Sequence, residues 1–292
     1  GKAVLNMGNV ETAHRKVTDL ATTKVDNIAC RDTVGLVIVD DVIYCIMTRA
    51  VSIDLKEKQP VVMKKITGCF SGNNIQTQDI TIHIDQGTNI IAMHANSITY
   101  HNHIFYLVTQ NIDNLGNQIM AFGSNGIISA KYKYAGGKIL TINYYGTING
   151  ELYFLVSTDR HQRIPYSLVK ISGNYLVDVG KSFIALAPYA DYDDGNDSYY
   201  DRSTKQLYIT KFKKANDNIM ENLVLQYDLS GGISGNGQEY SSVRTLHAAA
   251  QAGESRFEIE GICIYNGKKY VCVNSKDSSG VRNNNVCYLY KE

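Results

Sequence analysis

Short runs rich in Ile, Val and Tyr, separated by tight-turn residues, recur along the whole chain. The pattern is clearest near the C-terminus, where two such runs flank Asn266-Gly267. An Asn-Gly pair readily adopts the positive φ angles of a two-residue type I′ turn, so residues 257–275 are predicted to form a β-hairpin. Further hairpins are predicted with turns at residues 40–41, 101–102, 149–150 and 201–205. The pattern therefore indicates an all-β protein.

The second strand of each predicted hairpin carries a comparable tyrosine. These are Tyr44, Tyr106, Tyr153, Tyr208 and Tyr270, separated by 62, 47, 55 and 62 residues. A repeat of about 56 residues built from strands and turns is typical of a β-propeller with four-stranded blades, and 292 residues hold five such repeats. We predict a single domain over residues 1–292, a five-bladed β-propeller of four-stranded antiparallel blades. Two β-sandwich domains are the alternative, although no Pro- or Ser-rich linker divides the chain.

The two ends of the chain bear on how this propeller would close. The chain stops at Glu292, directly after the third predicted strand of the last blade. An open sheet edge could pair with other chains, so we predict that the N-terminal strand Ala3–Met7 closes the last blade from outside. In the first blade, Val51–Leu55 is the predicted third strand and Val61–Ile66 the predicted outer strand.

Composition narrows the class of partner. The formal net charge is +1, which argues against the concentrated basic surface of a nucleic-acid-binding protein. No apolar run approaches the roughly 20 residues that span a bilayer. The first residue is Gly1 rather than Met, which favours removal of an upstream segment and an exported protein. We expect a monomer whose six cysteines are mainly buried free thiols, with a disulfide in the last unit as the alternative.

Polar residues precede the first strand of each predicted blade. Counted back from the shared tyrosine, or from a longer turn in the fourth blade, the paired positions are Asp32 and Val34, His94 and Asn96, Thr141 and Asn143, Asp194 and Asn196, and Glu258 and Glu260. In a propeller these positions converge at one end of the central channel. Polar side chains there need partners, water or a ligand, so the ring is either a hydrated plug or a binding site.

The acids of this ring are the candidate catalytic residues: Asp32, Asp194, Glu258 and Glu260. Hydrolysis of a glycosidic bond uses two carboxyl groups roughly 5–9.5 Å apart across a cleft, which acids from different blades could supply. The candidate ligand-binding residues are His94, Asn96, Asn143 and Asn196 of the ring, and Arg49, Arg160 and His161 of the loops between second and third strands. A basic rim around an acidic, amide-rich centre would suit a glycan, and solvated loops are the alternative.

No metal or cofactor is predicted. An oxygen-rich ring could accept Ca²⁺, but no Asp-x-Asp-x-Asp-Gly loop supports a calcium site. The histidines at 83, 94, 101 and 103 suggest a zinc cluster, yet His101 and His103 flank a hairpin turn that points away from His94. A serine nucleophile elbow, a phosphate-binding glycine loop and a Rossmann fingerprint are all absent from the sequence.

Two blade starts resemble those of a known family. His94-Ala-Asn-Ser-Ile-Thr-Tyr100 and Glu258-Ile-Glu-Gly-Ile-Cys-Ile264 are similar to helveticin-J-like proteins, secreted five-bladed propellers of Gram-positive bacteria associated with bacteriocin activity. In that family a His or acid is followed two residues later by an amide or acid, and Val34 departs from this pattern. The resemblance implies a secreted or surface-attached bacterial protein acting at the cell envelope, and it assigns no catalytic residue.

The leading hypothesis is therefore a secreted or surface propeller that binds a glycan or cell-wall component at the channel mouth. Two alternatives remain open. One is a glycoside hydrolase that uses the carboxylates of the same ring. The other is a protein-interaction scaffold that uses the loops around it.

Overall fold

The computed structural model describes residues 4–6, 15–49, 58–83, 91–92, 95–109, 116–216, 218–250, 256–276 and 285–292. Within these residues the strands, in chain order, are β1 Val4–Asn6, β2 Arg15–Leu20, β3 Thr23–Val25, β4 Ile28–Val39, β5 Val42–Arg49, β6 Lys58–Gln59, β7 Val61–Thr67, β8 Gln76–Thr81, β9 Ile91–Ala92, β10 Ala95–His101, β11 Ile104–Thr109, β12 Asn117–Phe122, β13 Ile128–Tyr134, β14 Thr141–Ile148, β15 Glu151–Ser157, β16 Arg163–Ser172, β17 Tyr175–Leu186, β18 Ser198–Asp201, β19 Gln206–Ala215, β20 Asn218–Asp228, β21 Gln238–Ser241, β22 Arg244–Ala249, β23 Glu258–Tyr265, β24 Lys268–Lys276 and β25 Asn285–Lys291. A 3₁₀ turn spans Ala190–Tyr192. The described residues include no helix of the length and apolarity needed to cross a membrane.

Most strands pair as four-stranded antiparallel meanders, numbered here as units 1 to 5. Unit 1 is β4, β5, β7 and β8, unit 2 is β10 to β13, unit 3 is β14 to β17, unit 4 is β18, β19, β20 and β22, and unit 5 is β23, β24, β25 and β2. Units 2 and 3 are joined into one larger sheet by a short parallel pairing between β13 and β17. The short strands β3 and β21 add to the edges of β4 and β17.

The first strands of the units, β4, β10, β14, β18 and β23, contact one another in this order, and β23 contacts β4. They therefore form a closed ring. Backbone-to-side-chain bonds join neighbouring strands at matching heights, such as Ile142 N to Ser97 Oγ at 3.1 Å and Tyr200 N to Asn143 Oδ1 at 3.0 Å. The strands thus start at one end of the ring, called the mouth, and reach their hairpin turns at the opposite end.

The predicted hairpins are present, and their turns have the expected backbone. Asn266 and Gly267 have φ angles of 50° and 74°, the left-handed values that a type I′ turn requires. Asp40 and Asp41 take the same conformation without a glycine, which Asp tolerates better than most residues. In unit 2 the positive φ angles fall on Asn102 and His103, so that turn lies one residue later than predicted.

The N-terminal closure differs from the prediction. β1, which falls within Ala3–Met7, pairs in parallel with β22 of unit 4. The outer strand of unit 5 is β2, Arg15–Leu20, which pairs antiparallel with β25. An outer strand needs an apolar residue only on its inner face, and here Val17 and Leu20 supply it between charged neighbours. Because charged residues surround these two apolar positions, the segment lacks the apolar run by which the other strands were predicted.

Unit 1 also differs from the prediction in its outer half. The third strand is β7 and the outer strand is β8, whose residues Gln76–Thr81 are mostly exposed. The predicted third strand, Val51–Leu55, lies outside the described residues.

The apolar core lies between neighbouring units. The side chains of Ile46 in unit 1 and of Ile98 and Phe105 in unit 2 belong to one buried cluster. Cys45 of unit 1 packs with Cys263 and Cys272 of unit 5 in another. All six cysteines are free thiols, and all but Cys69 are buried. Packing between units holds the first strands in the ring and fixes what meets at its mouth.

Candidate functional site

Three carboxyl groups meet at the mouth, across the contact between units 5 and 1. Glu258 and Glu260 begin β23, and the two-residue period of a strand places them on the same side. Asp32 lies on the neighbouring strand β4. Asn274 of β24 donates hydrogen bonds from Nδ2 to Asp32 Oδ1 and, at 2.9 Å, to Glu260 Oε1. One amide thus bridges carboxyl groups from the first and last units.

Glu258 has different partners from the other two acids. Its Oε1 accepts a hydrogen bond from the Arg256 guanidinium in an ion pair, and its Oε2 accepts one from Asn196 Nδ2 at 3.4 Å. The residue is 8% exposed. Glu258 is therefore paired directly with an arginine and with an amide that precedes the first strand of unit 4.

The environment of the other two acids favours their protonated form. Burial, reinforced by the charge of Glu258, raises the pKa of Asp32 to about 8. Burial and the neighbouring Glu258 also raise the pKa of Glu260 well above its usual range. At neutral pH the cluster therefore holds at least one proton beside an arginine-paired carboxylate. A carboxyl group with a raised pKa can act as a general acid near neutral pH.

The amides and hydroxyls of units 3 and 4 mainly bind one another. Asn143 is 4% exposed, donates to Ser198 Oγ at 3.0 Å and accepts from Tyr200 N at 3.0 Å. Ser198 in turn donates to Thr141 Oγ1 at 2.8 Å. Asn143, a predicted ligand-binding residue, is therefore occupied in tying unit 3 to unit 4, and this side of the ring fills the channel with its own hydrogen bonds.

A fourth acid, Asp197, lies inside the ring next to the predicted Asn196. Its carboxyl group accepts hydrogen bonds from Ser97 Oγ at 3.2 Å and from Ile262 N at 3.1 Å, so it connects units 2, 4 and 5. It is 6% exposed, and burial raises its pKa to about 8. In the sequence, Asp197 stands immediately before β18. The longer turn of unit 4 shifts the count from the shared tyrosine, so the expected spacing did not reach this residue.

The loop residues predicted as a basic rim form a separate cluster. Arg160 Nε lies 3.0 Å from Asp194 Oδ1, and His161 Nδ1 lies 3.1 Å from the backbone oxygen of Asp193. Lys211, which is 1% exposed, donates to the backbone oxygens of Arg160, His161 and Asp193. Burial lowers the pKa of Lys211 to about 8. The lysine clips two loops together, a role that the sequence did not indicate.

The remaining predicted residues are placed as follows. Asp194 forms an ion pair with Arg160, accepts a hydrogen bond from Gly195 N, and pairs through its backbone with Phe212 of β19. It is therefore not part of the carboxyl cluster at the mouth. Asn96 is partly buried on β10, and Arg49 ends β5 opposite Cys30. His94 lies outside the described residues. Within the described part of the chain, no group of three or more His, Cys, Asp or Glu side chains is arranged to hold a metal ion.

The class of protein defined by the closed ring of first strands and the meanders around it is a β-propeller. Solved structures of this fold include RS223-β-xylosidase, which matches with a TM-score of 0.53 and 9% identity over 90% of this chain and 91% of that chain. A GH43_1 enzyme from Xanthomonas citri matches with a TM-score of 0.54 and 10% identity over 96% of this chain and 89% of that chain.

A third similar structure is the exo-β-1,3-galactanase of Phanerochaete chrysosporium with β-1,3-galactotriose, at a TM-score of 0.50 and 9% identity. The match covers 95% of this chain and 64% of the galactanase. No protein-family model matches the chain, and no curated protein matches it in sequence. At these identities the likeness establishes the fold, and the resemblance to helveticin-J-like proteins remains a prediction from sequence motifs.

Proposed function

We propose that the protein is a five-bladed β-propeller, each of units 1 to 5 being one blade, that binds a glycan at the mouth. The observation that carries this proposal is the carboxyl cluster of Asp32, Glu258 and Glu260 with its partners Arg256 and Asn274. A few convergent charged and amide groups are what orients a polar ligand in a protein site, and sugar hydroxyls pair with such groups. The galactotriose held by the similarly folded galactanase supports a carbohydrate as the ligand class.

The proposed ligand is a glycan or another polar component of a bacterial cell envelope, met by a secreted or surface-attached protein. Asn196 belongs to the site because it donates to Glu258. The cluster formed by Arg160, His161 and Asp194 is proposed as the outer rim that a longer glycan would touch.

Hydrolysis of the bound glycan is the second candidate function, and one observation favours it. A carboxyl group with a raised pKa, Glu260, lies beside an arginine-paired carboxylate, Glu258. Glycosidases use one carboxylic acid to protonate the glycosidic oxygen and a second carboxylate as nucleophile or base. Glu260 would be the proton donor and Asp32 of unit 1 the second carboxyl group, because Glu258 is hydrogen-bonded to Glu260 and lies closer than the roughly 5–9.5 Å that the reaction needs. Because Glu260 must carry its proton, the rate would fall as pH rises through the pKa of Glu260.

One experiment tests both candidates. The purified chain is applied to an array of plant, fungal and bacterial glycans, and glycans that are retained are then incubated with it while released sugars are measured by chromatography. Retention without release indicates a binding protein. Release indicates a hydrolase, and Glu260→Gln is then expected to lower the rate by about 100-fold or more while retention persists.

The binding candidate makes its own prediction for the same variant. Loss of the Glu260 carboxyl from the cluster should weaken retention by up to about tenfold, because a hydrogen bond made by an uncharged acid contributes about 0.5–1.5 kcal/mol. Glu239→Gln is the matched control, since Glu239 lies on β21, at the outer edge of unit 3, where it pairs with Arg163 of β16. The proposed site would be refuted if no glycan is retained and no sugar is released. It would also be refuted if both variants lose retention equally.

A further inference from the structure

A second site lies at the opposite end of the ring from the carboxyl cluster. A cavity of about 350 Å³ opens among the first strands of units 1 to 4 and the hairpin turns of units 2 and 4, at residues 37–39, 99–102, 143–144 and 199–203. Its lining includes Tyr100, His101, Tyr144, Tyr199 and Arg202. Asp32 of the carboxyl cluster precedes the lining residues 37–39 on the same strand, β4, so the two sites are separated along that strand. Cavities of a few hundred Å³ are of the size that binds small molecules.

The floor of the cavity is a stack of three planar side chains. The His101 ring lies 3.9 Å from the Tyr144 ring at an interplanar angle of 21°, and the Arg202 guanidinium carbon lies 4.6 Å from the centroid of the same ring. Two groups so close to one ring occupy its two faces. Tyr144 is itself fixed, since its hydroxyl lies 2.5 Å from Thr147 Oγ1 and its N–H donates to Thr99 Oγ1 at 2.9 Å. The stack therefore holds a guanidinium in a defined place.

Arg202 has no carboxylate partner within the described residues. The neighbouring Asp201 is engaged in its own turn, where it accepts hydrogen bonds from Ser203 Oγ at 2.9 Å and from Thr204 Oγ1 at 2.9 Å. Arg202 is exposed at the edge of the cavity, and stacking on Tyr144 leaves the N–H groups at the rim of its plane available. A guanidinium presents these donors in a fork that matches a carboxylate or phosphate group.

The lining contains one carboxylate, that of Asp201, whose oxygens accept the hydrogen bonds of its own turn, and the other groups add hydroxyls and ring edges. Burial and the nearby Arg202 lower the pKa of His101, so its ring is neutral at neutral pH. The Tyr100 hydroxyl accepts a hydrogen bond from His103 N at 3.0 Å and lies at the wall. A cationic ligand would be repelled by Arg202, and a neutral one would leave the guanidinium unused.

We infer that this cavity binds a small organic anion about the size of one sugar ring, whose carboxylate or phosphate group pairs with Arg202 held on Tyr144. The ligand would enter at the hairpin end of the ring. This site is independent of the glycan site proposed at the mouth, and either could exist without the other.

Titration calorimetry with three probes tests the inference: glucuronate carries a carboxylate, glucose 6-phosphate carries a phosphate, and glucose carries neither. We expect one of the anions to bind, and its identity to distinguish the carboxylate from the phosphate source. Arg202→Gln keeps much of the length of the side chain and should weaken binding about tenfold or more. Lys205→Gln removes one positive charge from the same turn without touching the cavity lining, and should change the affinity less than about twofold.

The outcomes are separable from those at the mouth. Glu260→Gln should bind the anion as the unaltered protein does. The inference would be overturned if neither anion binds at up to about 10 mM, or if glucose binds as tightly as the anions. It would also be overturned if Arg202→Gln and Lys205→Gln weaken anion binding equally.

Discussion

Replacement of Asp197 by Asn tests how the interior of the ring is stabilised. The carboxyl group of Asp197 is 6% exposed and accepts hydrogen bonds from Ser97 and Ile262. Burial raises its pKa from the ordinary value of 3.8 to about 8. Between these values the folded protein keeps a proton that the unfolded chain releases. The free energy of unfolding must therefore fall as pH rises from about 4 to about 8, and this contribution is level below and above that window.

The size of the effect follows from the shift. Each pKa unit corresponds to about 1.4 kcal/mol, so a shift of about four units makes Asp197 lower the free energy of unfolding by up to about 6 kcal/mol at pH 8 relative to pH 4. Asn resembles the protonated acid in shape and polarity. Asp197→Asn should match the unaltered protein at about pH 3.5, and should be more stable by about 5 kcal/mol at about pH 7.5.

Urea unfolding at half-unit intervals of pH, followed by far-UV circular dichroism, gives both stability curves. Asp32 and Glu260 titrate in both proteins, so the difference between the two curves isolates Asp197. Asp26→Asn is the control, because Asp26 lies exposed in the turn between β3 and β4. If the difference between the unaltered protein and Asp197→Asn is the same at every pH, the buried carboxyl does not hold its proton and the reasoning is wrong.

Two further substitutions test the clip between loops and the closure of the ring. Lys211→Met leaves three backbone oxygens without their buried donor, so it should lower the free energy of unfolding by about 2–3 kcal/mol in a urea titration. The control is Lys213→Met, at a half-exposed residue of the same strand, which should change the free energy of unfolding by less than about 0.5 kcal/mol. Gly261→Ala places a Cβ 2.7 Å from Gly35 Cα and should cost about 1–3 kcal/mol, while Gly146→Ala, which has open space at its Cβ, should not destabilise. Equal midpoints for either pair would contradict the contact concerned.

The repeat of hairpins was predictable because its signals are local. Asn266-Gly267 sets a turn by backbone preference alone, and the alternation beside it sets two strands. The outer strands were harder to predict. β2 and β8 are edge strands with an exposed face, and their mixed polar composition resembles that of a loop. Which terminal segment pairs with which unit depends on packing between units, and this information is not local to either segment.

The candidate site was predictable in part for the same reason. Glu258 and Glu260 stand two residues apart on one strand, so the sequence placed them on one face, and counting from the shared tyrosine added Asp32. Their partners could not be obtained in this way. Arg256 precedes the strand, and Asn274 reaches the cluster from the second strand of the hairpin. The longer turn of unit 4 shifted the count, so Asp197 was missed although it lies beside a predicted residue.

The position of the carboxyl cluster links folding to the proposed activity. Asp32 comes from the first unit and Glu260 from the last, so the two meet only when β23 contacts β4. The same contact depends on the closely packed glycines Gly35 and Gly261, and unit 5 is completed by the N-terminal strand β2. Three charged carboxylates would oppose this closure, and the raised pKa values of Asp32 and Glu260, together with Arg256 and the bridging amide of Asn274, offset the repulsion. Conditions that open the contact between the first and last units should therefore abolish ligand binding at the mouth before the other units unfold.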